Sequence, residues 1–227
     1  MKTGMSVQRL GAMATLVLGG LTASAMADLM ESQVQNFSFP LSPGDVTLSF
    51  NQFDDQGGMR VLTEVTFLIN GEIQASVTAE NNSVLPAPDF ALQLSGNLTG
   101  TFGDLSVAGL YNETFNTDGN VTASDGVEGS GPDFWDFGTV SDSESQGEST
   151  TSDLAQYVGA GTIDAEIAAS GGFTISGSTD SRLVIRDFGA SGTAEVIYTY
   201  NMIPGPASLA MLGVAGLAGG GRRRRRG

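Results

Sequence analysis

Between Asp28 and Asn201 the chain alternates. Val, Thr, Phe and Ile stand at every second position in short runs, and Gly, Asn, Asp and Ser separate the runs. This pattern predicts strands at Gln33–Phe39, Val46–Phe50, Leu62–Ile69, Ile73–Ala79, Phe90–Gly96, Thr101–Val107, Val158–Ala168, Gly172–Ser176, Leu183–Asp187 and Thr193–Tyr200. The last is the clearest. Ala194, Val196, Tyr198 and Tyr200 fall on one face, while Thr193, Glu195, Ile197 and Thr199 fall on the other. No helical period runs through this region. Ser152–Tyr157 reads as a single helical turn with Ser152 as its N-cap.

Asn70-Gly71 is the strongest hairpin signal, since both residues accept positive φ. A two-residue turn there would pair Ile69 with Glu72 and set Val65, Phe67 and Ile69 on the face opposite Ile73, Ala75 and Val77. The expectation is therefore a three-residue loop or a bulge that pairs Ile69 with Ile73, or else a strand pair buried on both sides. Residues 112–152 are rich in Asp, Glu, Ser, Thr and Gly and read as the least ordered part. Phe134-Trp135-Asp136-Phe137 is the one aromatic knot inside them. It reads either as a plug folded back on the core or as a ligand platform. The fold class that follows is all-β, an antiparallel β-sandwich of immunoglobulin-like or jelly-roll-like type, flanked by an N-terminal signal helix and a C-terminal apolar helix.

Both flanks carry targeting chemistry. Lys2 and Arg9 form a basic region, Leu10–Leu21 an apolar one, and Ala25-Met26-Ala27 a small-x-small cleavage site, so Asp28 is the expected mature N-terminus. At the other end, Pro204-Gly205-Pro206 is followed by an apolar segment and then by Arg222, Arg223, Arg224, Arg225 and Arg226. Ile203–Gly221 holds no charge in 19 residues, which as a helix spans roughly 28 Å, near the thickness of a hydrocarbon core. Its glycines make it a marginal anchor. The arginines fit a cytoplasmic stop that leaves the preceding chain outside. This order resembles a PEP-CTERM sorting tail, the signal handled by exosortases, although Gly205 stands where that motif usually has Glu. The domains expected are a signal peptide over 1–27, an exported sandwich over 28–201 and a sorting tail over 202–227.

A second resemblance spans most of 33–201. Phe39-Pro40-Leu41, Leu48–Asp54, Leu62–Phe67, Ala79-Glu80-Asn81, Asp153–Thr162 and Ala194–Tyr200 occur in an order and spacing similar to the choice-of-anchor E domain, an exported β-rich domain that ends in one of several sorting tails. That family is defined by architecture and anchoring, so the resemblance implies no catalytic residues. The region around 112–150 departs from it in length and acidity.

Composition narrows the chemistry. All 25 acidic residues lie in the exported region, against only Arg60, Arg182 and Arg186, a net charge of −22. Such a surface repels phosphate backbones and excludes nucleic acid as a partner. It is either a solvated exterior or a recruiter of divalent cations. There is no Cys and no His, which removes disulfide scaffolds, zinc sites and Cys- or His-dependent catalysis. Asn116-Thr117-Asp118-Gly119-Asn120 begins like a calcium loop, but Val121 and Val127 stand where Gly and Glu are required. Asp142, Glu144 and Glu148 lie in a Ser-rich run and read as solvated. No cofactor is implied beyond weak calcium.

The expectation is a non-enzymatic protein of the cell envelope or extracellular matrix, tethered to the membrane before processing. Its partners would be the secretion machinery and signal peptidase, an exosortase-like enzyme and an extracellular polysaccharide, with transient membrane association through the tail. A carbohydrate- or calcium-binding module, with Phe134, Trp135 and Phe137 as ligand contacts, is the alternative. A His-free hydrolase is the remaining class.

Overall fold

The structure is a computed structural model and describes residues 28–203. The signal and tail residues, Ala25, Ala27, Pro204, Gly205, Pro206 and Arg222–Arg226, lie outside the described residues, as do both expected flanking helices. Eight strands follow in order: β1 Leu29–Pro40, β2 Gly44–Asn51, β3 Arg60–Asn81, β4 Ala91–Phe102, β5 Leu105–Asn116, β6 Phe134–Thr150, β7 Thr162–Ser176 and β8 Ser181–Met202. They form two antiparallel four-stranded sheets, ordered β1-β8-β3-β6 and β2-β7-β4-β5. Viewed as a ribbon, the chain pairs β1 with β8, β2 with β7, β3 with β6 and β4 with β5, then rolls up. This is jelly-roll wiring rather than the seven- or nine-strand immunoglobulin order. Among the described residues no helix is long and apolar enough to cross a membrane.

The expected turn at Asn70-Gly71 is absent. β3 runs straight through it for 22 residues. The reason lies in the parity that a turn could not satisfy. Val65, Phe67, Ile69, Gly71, Ile73, Ala75, Val77 and Ala79 are all odd-numbered, and in one continuous strand all of them face the core. Gly71 has no positive φ. It is there for space: a Cβ would meet Tyr111 Oη at 2.6 Å and Leu98 Cδ1 at 2.9 Å across the sandwich. The same continuity merges four other expected strands into β7 and β8. The tight hairpin lies instead at Gly103-Asp104, where Phe102 pairs with Leu105 and Gly103 has φ 61°.

The polar stretch expected to be least ordered forms β6, an edge strand of 17 residues. Only Val140 of it is buried. An edge strand needs little apolar surface, so Ser and Glu suffice. The helical turn is a 3-10 segment, Leu154–Tyr157, whose N-cap is Asp153 in a left-handed backbone with no side-chain cap. Ser152 does not cap it; its N–H is bound to Thr150 Oγ1 instead.

The core lies between the sheets. Phe102 is its hub, edge-on to Phe50 and packed on Phe67 and Tyr157, with ring centroids 5.5–5.8 Å apart. Burial pushes the Tyr157 hydroxyl well above its ordinary range, helped by its hydrogen bond to Asp104.

Both open seams of the sandwich are closed by side chains acting as backbone substitutes. On one side Gln33 of β1 donates to Asn51 O and accepts from Asn51 N, each at 2.9 Å, and Gln35 donates to Ser49 O. On the other, the carboxylates of Asp142 and Glu148 in β6 accept from Asn112 N at 2.9 Å and Ser106 N at 2.6 Å in β5. Unpaired edges invite other strands, and these contacts occupy them.

Candidate functional site

The two ends of the sandwich differ. Leu29 pairs with Tyr200 and Arg60 with Met202, so both ends of the domain emerge side by side. Arg60 locks this end. Its guanidinium lies over the rings of Tyr200 and Phe53, at 3.9 and 4.4 Å, pairs with Glu31 and donates to Asp54 O. Twenty residues further along β3, about 65 Å at a strand's rise, Glu80 and Asn81 reach the opposite end.

Asn81 is fully buried and braces that distal end. Its Nδ2 donates to Leu85 O and Thr122 O, and its Oδ1 accepts from Ser83 N and Ser178 Oγ. The three distal connections, 82–90, 117–133 and 177–180, are thus tied to one amide whose capacity is fully used.

Beside this brace, on the outer face of the β1-β8-β3-β6 sheet, is a groove of about 610 Å³. The strand register builds it. Glu80 stands between Phe134 of β6 and Arg182 of β8, Thr78 faces Val184, and Ser76 faces Arg186. Glu128 and Gly129 close the rim. Glu80 is almost buried and takes Gly129 N–H on its carboxylate. Arg182 is paired with Glu128, whereas neither ion pair among the described residues uses Arg186. Two arginines and two glutamates cancel, so the groove is a neutral patch on a strongly acidic domain. It holds two of the domain's three basic residues.

The structure divides the aromatic knot. Phe134 lines the groove. Trp135 and Phe137 turn the other way and pack on the small core cluster of Ala79, Ala87, Phe90 and Val121. Strand alternation separates 134 from 135 and keeps 137 on the side of 135, and the bulge opposite Val77/Thr78 then shifts the parity so that Val140 also faces the core. In the sequence Arg182 and Arg186 stand out only as rare positive charges, not as site residues. Their i, i+4 spacing, with Val184 between them at the same parity, was the available signal, and it places them on one face of a strand. Of the acidic candidates, Asp142 and Glu148 serve the seam, and together with burial Glu144 and Asp142 push the Tyr111 hydroxyl up to about 12. Asn116 ends β5, and Thr117 Oγ1 donates to Gly119 O, which spends the calcium-like segment on its own turn.

No protein-family model and no curated protein matches this chain. Among solved structures it is similar to particles of infectious bursal disease virus. The Gx strain structure is 10% identical with a TM-score of 0.20, covering 88% of this chain and 47% of the viral one. The VP2 subviral particle is 12% identical with a TM-score of 0.21, covering 83% and 46%. The chain spans about half the length of these structures, and likeness at this level carries no functional argument.

Proposed function

We propose that the chain is an exported bacterial protein, processed at Ala27/Asp28, held by its PEP-CTERM-like tail and acting by contact in the envelope or extracellular polysaccharide matrix. One observation carries the reading. Both ends of the described domain, Leu29 and Met202, lie at its Arg60 end, while the groove with Phe134, Arg182 and Arg186 lies about 65 Å away along β3. A tether at one end presents the other to the surroundings.

The groove favours a carbohydrate over a peptide or nucleic acid. An aromatic face suits a sugar ring, and guanidinium and carboxylate groups suit vicinal hydroxyls. Local neutrality makes a neutral polysaccharide the best-matched ligand, because the surrounding acidity repels polyanions. The chemistry of the site is recognition without turnover.

Two measurements test this. Mass spectrometry of the native protein is expected to find Asp28 as N-terminus and no Arg222–Arg226 peptide; a mature chain retaining all five arginines refutes processing. Purified protein is expected to bind a neutral glycan without product release, with binding reduced at least tenfold by Phe134→Ala or Arg186→Ala and the melting temperature kept. Release of sugar product abolished by one Asp or Glu substitution would establish a hydrolase instead.

A further inference from the structure

Asp133 lies just before β6 and is fully buried. A buried carboxylate is costly unless its oxygens are matched by donors or a positive charge. Asp133 is half matched. Its Oδ2 accepts Asp125 N–H at 2.9 Å, while its Oδ1 has no hydrogen-bond partner. Neither ion pair among the described residues involves it.

The orphan oxygen has a neighbour of its own charge. The loop 117–133 doubles back, so that Asp125 and Asp133 approach Gly131 from one side. The point that a Cβ would occupy on Gly131 lies 2.9 Å from Asp133 Oδ1, and Asp125 Oδ2 is closer still. Asp125 spends its other oxygen, Oδ1, on Val127 N–H at 2.7 Å. Two carboxylate oxygens thus converge on a space with no donor between them, and that space exists because residue 131 has no side chain. Gly131 also has φ 106°, where other residues are strained.

We infer that Asp125 Oδ2 and Asp133 Oδ1 bind a divalent cation of calcium's chemistry, at the distal end beside the groove. Oxygen-only ligands select a hard cation. Among the described residues no third carboxylate joins the pair, so water and main-chain carbonyls complete the six to eight oxygens. Two charged ligands set the affinity in the weak range of extracellular calcium modules, about 10⁻⁴–10⁻³ M. The cation would fix the connection that carries Glu128 and Gly129, the rim of the groove. This site is distinct from the 116–120 segment and from the Asp142–Glu148 run considered in the sequence.

Trp135, the only tryptophan, stands two residues from Asp133 and supplies the readout. Terbium, added to chelator-treated full-length protein and excited through Trp135, is expected to give saturable luminescence that calcium displaces. Asp125→Asn, at an exposed position, is expected to weaken binding at least tenfold, and Asp142→Asn to leave it unchanged. In melting experiments about 10 mM calcium raises the wild-type midpoint by about 3–10 °C. Asp133→Asn cancels that rise and, in chelator, melts no lower than wild type, because it removes an unmatched buried charge. Luminescence that does not saturate, or is equal in Asp125→Asn, refutes the site and assigns terbium to the acidic surface at large. A calcium-independent melt of the wild type refutes it independently.

Discussion

Substituting Gly71 separates two accounts of the same residue. If Gly71 were a turn residue at positive φ, Asn would be the mildest replacement, because its side chain tolerates the left-handed region. In the extended β3 the constraint is space, and Asn is worse than Ala. The new Cβ of Gly71→Ala would sit 2.6 Å from Tyr111 Oη and 2.9 Å from Leu98 Cδ1. Overpacking of this kind costs about 1–3 kcal/mol. Ala recovers about 0.5–1 kcal/mol of strand preference over Gly, which leaves a net loss of about 0.5–2 kcal/mol. For a domain of this size that lowers the melting temperature by roughly 1–8 °C. Gly71→Asn adds a buried amide without partners, worth about a further 1–3 kcal/mol. The expected order of melting temperature, by circular dichroism, is Gly above Ala above Asn. Tyr111→Phe deletes the nearest clashing atom, and Tyr111 Oη has no hydrogen bond among the described residues. The cost of Gly71→Ala should therefore shrink by about 0.5–1 kcal/mol in that background. Asn melting above Ala, or strict additivity with Tyr111→Phe, would refute the packing account.

Phe102→Ala removes the ring on which Phe50, Phe67 and Tyr157 converge. It is expected to cost about 3–5 kcal/mol, read as a matching drop in denaturant midpoint at unchanged slope. Stability is expected to fall as pH rises from about 10 to 12. Burial, then nearby carboxylates, hold the folded Tyr198 and Tyr111 hydroxyls at about 12, so the unfolded chain ionises first. Tyr198→Phe should flatten part of that loss in an alkaline titration followed by circular dichroism. Gln33→Val with Gln35→Val opens the β1/β2 seam at a cost of no more than about 2 kcal/mol, since these bonds are exposed. It should nevertheless produce concentration-dependent association by light scattering, and a variant that stays monomeric would show that the glutamines do not guard the edge.

The fold was legible wherever burial imposed period two. The Thr193–Tyr200 faces were read correctly because one side of β8 is core. β3 was misread although its parity was on the page. The odd-numbered apolar run from Val65 to Ala79 passes Gly71 without a phase change, and that outweighs the local appeal of Asn-Gly. β6 was missed for the opposite reason. Beyond Val140, an edge strand whose carboxylates bond the neighbouring sheet has no apolar side to betray it. The site was less legible still. Phe134 could be told from Trp135 and Phe137 only once the stretch was known to be a strand. Asp125 and Asp133 meet only because the loop doubles back at Gly131, and nothing in their spacing states that.

The long central strand also governs how the molecule bears force. β8 is held on both sides, by β1 from Leu29 to Pro40 and by β3 from Arg60 to Asn81. A pull on Met202 along the strand, resisted at the groove, runs parallel to these ladders. It loads their hydrogen bonds together, as a lap joint is loaded, instead of opening them one after another like a zip. The sandwich is thereby a stiff strut whose strength along its axis grows with the length of overlap, which gives 22-residue strands a mechanical value that the hydrophobic core alone does not require.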